Sequence, residues 1–341
     1  MAERVRLRRI ADPVVAAGPS GVRIRTRIEV SDAEAAAFRV IGTFLGSVYR
    51  GELAARIGCG VLDTKGRAVW RADRKQAITA VTSSRWAGAI TRAVEDQYQL
   101  GLRGVAAHVA DLRAAIEVLE QRCAQRPGER AAGNGRDRPR RGYRSAAERF
   151  AKTRRLVMLR ERLAARETAL VAGHPSITVG GKRLWRTRNH LDSAAISAEE
   201  WQGRWNAARM FFTADGESGK AGGNETIRVD TNGQLRIKVP AALVDELGTH
   251  LVIAASVRFA HRAGEWTERV TARRAVRYDI SYDADRGRWY LDASWKTTPQ
   301  PAPTLDELRA RPMLGVDLNA DHLACCVLDT CGNPVGDPIS T

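Results

Sequence analysis

Two stretches of the 341-residue sequence carry residue types that could do chemistry. One is Leu314-Gly-Val-Asp-Leu-Asn-Ala-Asp-His-Leu-Ala324, in which an apolar run delivers Asp317 to a tight polar turn. A carboxylate so placed suits a hard cation such as Mg²⁺ or Mn²⁺, which takes oxygen ligands, and two such ions can clamp both oxygens of a phosphodiester displacement. The same pattern also suits a turn backbone that approaches a phosphate, or a surface hairpin with an incidental Asp. The other stretch is residues 126–166, where 14 Lys and Arg face four acids, a local charge of +10 in a chain of net charge +16. Its candidate phosphate-binding residues are Arg136, Arg138, Arg140, Arg141, Arg144, Arg149, Lys152, Arg154 and Arg155. A planar guanidinium can pair two phosphate oxygens at once, so arginine in this density points to a polyanion. A solvated helix face beside a loose tether is the plainer alternative.

The elements that must position these residues follow from periodicity. Val22–Val30 alternates apolar and polar residues, the period of a half-buried strand. Ser31-Asp-Ala-Glu34 matches a capping box and opens a helix to about Arg56. Helices are expected over about 75–98 and from Val105 to about Cys123, and an arginine-studded helix over about 145–172. The Gly-, Pro- and Arg-rich run 124–147 reads as a basic loop between an antiparallel helix pair. Ser197-Ala-Glu-Glu200 is a second capping box, and Trp201 and Trp205 share one helical face, which favours helix packing over base stacking. Beyond Glu225 the pattern turns to short strands: 227–230 and 234–239 about an Asn232-Gly233 turn, then 251–259, 275–282 and 288–295. These suggest a small antiparallel barrel or sandwich.

Composition narrows the function classes. A pI near 10.4 favours a nucleic-acid partner, and no apolar run is long enough to span a bilayer. No basic amphipathic helix with a strong apolar face points to a membrane surface. Five cysteines, at 59, 123, 325, 326 and 331, fit a reducing cytoplasm better than a disulfide framework. Adjacent Cys325 and Cys326 would face opposite sides of a strand, the six histidines are scattered, and Asp321, Asp329 and Asp337 read first as turn residues.

A carboxylate on a strand followed at once by a hairpin opens RNase H-like nucleases, and a similar strand-turn-strand opens sugar kinases and actin-like ATPases. The wider set of motifs is more specific. Gly180-Gly-Lys-Arg-Leu-Trp185, Glu199-Glu-Trp-Gln-Gly-Arg-Trp-Asn-Ala-Ala-Arg209, Gly222-Gly-Asn-Glu-Thr226, Val257-Arg-Phe-Ala260, Arg288-Trp-Tyr290, the Asp317 motif and Gly332-Asn-Pro-Val335 occur in that order. Over about residues 175–341 the chain thus resembles TnpB-related, OrfB-type proteins of bacterial insertion sequences, relatives of type V CRISPR effector nucleases. The resemblance implies an α+β chain. A first wedge strand (20–30) precedes a helical recognition lobe (31–222). A wedge β-barrel (223–298) and a linker (299–311) lead to an RNase H-like RuvC domain (312–341). It also implies guide RNA and target DNA as partners, no membrane, and Asp317 as the first RuvC metal ligand, with Mg²⁺ or Mn²⁺ bound only where a complete site forms.

The family's nuclease needs a later Glu, a final Asp and usually Cys-x-x-Cys pairs. This sequence reaches Thr341 near the start of a third strand and contains no Cys-x-x-Cys. The expectation is therefore a RuvC domain truncated after its first motif, with no zinc site, that binds nucleic acid without completing catalysis. Two further expectations stand beside it: an active metal-dependent DNA nuclease whose site another chain completes, and a degraded gene product.

Overall fold

A computed structural model describes residues 14–129, 141–298, 301–319 and 322–340. In chain order its elements are β1 (Gly21–Ile28), α1 (Asp32–Gly58), α2 (Thr64–Thr79), α3 (Ser84–Ala124), α4 (Ala146–Ala172), α5 (Lys182–Thr187), α6 (Ala198–Ala207), β2 (Thr213–Ala214), β3 (Ile227–Val229), β4 (Leu235–Lys238), α7 (Val244–Leu247), β5 (His250–Val252), α8 (Ala263–Thr271), β6 (Arg277–Asp283), β7 (Arg288–Lys296), α9 (Leu305–Arg309), β8 (Met313–Leu318), β9 (Leu323–Leu328) and β10 (Pro334–Ser340). The chain divides into two compact units, residues 24–293 and residues 1–23 with 294–341, and the division falls within β1 and β7. No helix among the described residues is long and apolar enough to cross a membrane.

The fold is α+β, but the expected barrel does not close. The described strands form three open sheets, of order β1-β7-β6-β2, β3-β4-β5 and β10-β9-β8. Asn224 shows one reason. Its buried side-chain amide donates to the carbonyls of Ala214, Asp215 and Val276 at 3.0–3.1 Å and accepts from the N–H groups of Thr226 and Ile227. A side chain thus satisfies backbone groups that a continuous ladder would otherwise pair. The strand expected over 251–259 likewise ends at Val252. The next amides are taken elsewhere: Ile253 donates to Leu235, Ala254 to the Glu34 carboxylate and Val257 to Gly233.

Local signals set the helices. Ser31–Glu34 and Ser197–Glu200 form complete capping boxes. The pair of helices expected over 75–98 and 105–123 is instead one 41-residue helix, α3, preceded by a break at 80–83. Ser83 caps α3, and the break is held by Ala241 and Ala242, whose N–H groups donate to Thr82 and Val81. At 1.5 Å per residue α3 is about 60 Å long. Its first half is built into the core: Trp86 is fully buried, lies 6.1 Å from Phe212, and donates from Nε1 to the Lys238 carbonyl. Phe38 of α1 packs edge-on against Trp289 of β7 at 4.9 Å.

Where α1, α3 and the end of α4 meet, Arg56 is wholly buried, with Nε 2.6 Å from Glu95 and its guanidinium 3.7 Å over the Tyr98 ring. The Tyr98 hydroxyl lies 2.8 Å from the carbonyls of both Gly60 and Gly173. Gly173 ends α4 at φ +70°, and a Cβ there would sit 2.6 Å from the Val61 nitrogen, so both the turn and the close approach require glycine.

Candidate nucleic-acid interface

The arginine-rich segment is one side of a helical arm. The distal half of α3 and the whole of α4 lie antiparallel, with Arg113 bound to Glu167 and Arg160 to Glu120, each at 2.6 Å. Arg149 Nε donates to the Cys123 carbonyl at 2.8 Å. The partners on α3 advance as those on α4 retreat, which fixes the direction. Between the helices runs an apolar seam containing Val109, Leu112 and Ile116 of α3 and Leu156 of α4, all buried. Exposed ion pairs contribute ~0–1 kcal/mol each, whereas a buried aliphatic side chain contributes about 1.5–3 kcal/mol, so the seam holds the arm and the ion pairs set its register.

The loop stems at the end of the arm are pinned. Gly128 N–H donates to Tyr143 and Gly142 N–H to Glu129, both at 2.8 Å. Tyr143 is buried under the Arg122 guanidinium, 4.1 Å from its ring; burial pushes its phenol up while Arg122 pulls it down. Arg122 also donates to the Arg141 carbonyl at 3.1 Å.

The expected phosphate-binding residues now separate. Arg136, Arg138 and Arg140 lie outside the described residues. Arg149 is half-buried and occupied in joining α4 to α3, and Lys152 is also only half-exposed, three residues along the same face. Arg141, Arg144, Arg154 and Arg155 are exposed, and no described carboxylate pairs with their guanidinium groups. Arg162, about two turns further on, has the same character. The outward side of α4 also exposes Phe150, Val157 and Met158 among these cations.

A second basic surface was not singled out from sequence. In the β3-β4-β5 sheet, Ile227, Val229, Leu235 and Ile237 are buried on one side. Arg228 stands directly opposite Arg236, and Lys238 opposite His250, on the other. Like charges directly across a ladder destabilise it. Their effect is visible at His250, whose pKa is lowered by burial and then by the charges of Arg236 and Lys238. The signal lay in the alternation of Ile-Arg-Val and Leu-Arg-Ile-Lys, which puts every basic residue on one side.

The tryptophans are mostly structural. Trp201 stacks on Trp205 at 5.7 Å and donates to the Leu184 carbonyl, while Trp205 is buried and lies 5.2 Å from Trp185. Trp185, 37 % exposed, carries the Arg188 guanidinium 3.4 Å above its ring.

Asp317 is exposed on β8, opposite Ala324 of β9. Its polar neighbour is Asn319, whose Nδ2 is 3.4 Å from Oδ2 and 3.2 Å from His322 Nε2. No group of three or more His, Cys, Asp or Glu side chains able to hold a metal occurs among the described residues; Asp321 lies outside them. One carboxylate with an amide and an imidazole does not match the oxygen-rich shell of a hard divalent ion. Asp329 is a turn residue: the N–H groups of Asn333 and Cys331 donate to it at 2.8 Å and hold its carboxyl below the usual range.

Cross-strand register places Leu314, Val316, Leu318, Leu323, Val327, Val335 and Ile339 on one face of the β8–β10 sheet, all 39 % exposed or more. Asp317 is on the opposite face. The sequence matches no model of a known protein family and no curated protein.

Proposed function

We propose that the chain is a nucleic-acid-binding protein, related to the TnpB-type proteins of insertion sequences, that grips guide RNA or target DNA through phosphate contacts. The observation that carries this reading is the outward side of α4, where Arg154, Arg155 and Arg162 stand exposed without a carboxylate partner among the described residues. Several arginines of the core are paired instead: Arg56 with Glu95, Arg74 with Glu52 and Arg25 with Asp292. Cations left unpaired along a helix are available to phosphates, whose contacts supply most sequence-independent affinity. The basic side of β3–β4–β5 would add a second contact surface. RuvC ancestry rests on the motif around Asp317, and binding requires no catalysis from it.

Purification of the chain from its host, followed by sequencing of bound RNA, tests this reading. The expected result is a discrete, structured RNA that is lost when Arg154, Arg155 and Arg162 are replaced by Gln. Recovery of the same RNA with the triple variant, or of no nucleic acid with either protein, would contradict it.

A further inference from the structure

A cavity of about 440 Å³ opens between α1, the end of α6 with the segment that follows it, and Tyr282 of β6. Its formation follows from the packing there. Gly46 of α1 lies so close to the Arg209 carbonyl that a Cβ would come within 2.2 Å of the oxygen, and Phe211 N–H donates to Gly42 at 3.0 Å. Residues 209–211 are thereby laid directly on the helix. Beside this contact, Arg39, Arg50, Arg209, Asn206, Met210 and Tyr282 line the cavity.

Three guanidinium groups share this space, and no carboxylate lines it. Arg50 Nη1 donates to the Arg209 carbonyl at 2.9 Å, Arg39 lies 5.4 Å over the Tyr282 ring, and Arg209 lies 4.9 Å over Trp205. None of the three forms an ion pair with a described residue, and Arg209 Nε is buried without a hydrogen-bond partner among them. Arg50 is also made easier to deprotonate, by burial first and by the charge of Arg209 second. Clustered cations and an orphaned donor both cost free energy in the free protein, and an anion would relieve both. The remainder of the lining includes an aromatic ring, a thioether and one side-chain amide, which suit a flat, partly apolar body with a hydrogen-bonding edge.

We propose that this cavity binds a nucleotide, with its phosphate among Arg39, Arg50 and Arg209 and its base against Tyr282 and Met210. The chemistry is shared by a free nucleotide and by the phosphorylated end of a strand. This site stands apart from α4 and does not depend on the arm binding anything.

The test is calorimetric titration of the full chain with adenosine 5′-monophosphate, adenosine and inorganic phosphate, then competition by one oligonucleotide carrying either a 5′-phosphate or a 5′-hydroxyl. The monophosphate is expected to bind more tightly than adenosine or phosphate alone, with a loss of about tenfold for each guanidinium removed in Arg39→Gln and Arg209→Gln. Arg39 is exposed and makes no hydrogen bond to the backbone, so Arg39→Gln keeps the fold even if the Arg209 variant loses it. Lys65→Gln, at an exposed position of α2, should leave this affinity unchanged. Competition by the 5′-phosphorylated oligonucleotide alone assigns the site to a strand end, and failure of both oligonucleotides to compete assigns it to a free nucleotide. Equal competition by the 5′-hydroxyl form, no binding of the monophosphate, or binding unaltered by Arg39→Gln overturns the proposal.

Discussion

Arginine is used in two ways in this protein, and the contrast between the helical core and the arm explains each. In the core, Arg56 is wholly buried against Glu95, and Arg74 makes a two-pronged contact with the nearly buried Glu52 at 2.6 and 2.7 Å. On the arm, Arg154, Arg155 and Arg162 face solvent without a carboxylate partner among the described residues. A desolvated guanidinium must be neutralised by its neighbours, whereas a solvated one need not be and remains free to meet a phosphate. Arginine content alone therefore does not mark an interface. Two of the nine cations first singled out, Arg149 and Lys152, sit on the half-buried side of α4, where geometry assigns Arg149 to holding the arm together.

The contrast can be broken most severely at Arg56. Replacing it with Leu leaves the Glu95 carboxylate in a protein interior without its cation. Loss of about 3–5 kcal/mol of unfolding free energy is expected by denaturant titration. The same pair predicts a pH dependence. Burial raises the Glu95 pKa, but hydrogen bonds from Arg56 and Gln99 more than offset this, and its folded value is lowered. The stability it contributes is therefore present above the unfolded value of about 4.3 and is lost as pH falls through the lower folded value. Glu95→Gln should flatten stability across that acid window; an unchanged profile would count against the pairing.

A second contrast concerns the sheets. The strands β6 and β7 bury Tyr278, Trp289 and Leu291, whereas none of the described residues of β8–β10 is buried. Hydrogen exchange should be faster in 313–340 than in 277–293 by on the order of a hundredfold, because local opening there exposes little new apolar surface. Comparable protection of the two segments in a verified monomer would show that the apolar face of β8–β10 is covered.

The smallest effect is expected on the basic sheet. Arg236→Gln removes one member of a like-charge pair and should raise stability by a few tenths of a kcal/mol while weakening nucleic-acid binding. A loss of stability there would mean that Arg236 has a structural partner.

Much of this organisation could be read before the fold was known. The capping boxes at Ser31 and Ser197, the Asn232-Gly233 hairpin and the α4 helix all follow from local residue chemistry, and the structure places them where that chemistry does. The errors arose where distant residues decided the outcome. The break before α3 depends on Ala241 and Ala242, the irregular stretch after Val252 on Glu34 and Gly233, and the open sheets in part on Asn224. Pairing of arginines across tens of residues, as between Arg56 and Glu95, was equally invisible in local pattern. Spacing located the basic segment but not the division within it between cations that hold the arm and cations that remain free.

The most direct test of the account is the salt dependence of nucleic-acid affinity for the parent chain and for the Arg154→Gln/Arg155→Gln/Arg162→Gln variant. Surface changes of this kind should leave unfolding free energy within about 0.5 kcal/mol. The slope of log affinity against log salt on duplex DNA should become shallower by about 0.9 for each phosphate contact removed. A variant that is equally stable and keeps both the affinity and the slope of the parent would contradict the claim that the unpaired cations of α4 are the phosphate-binding surface.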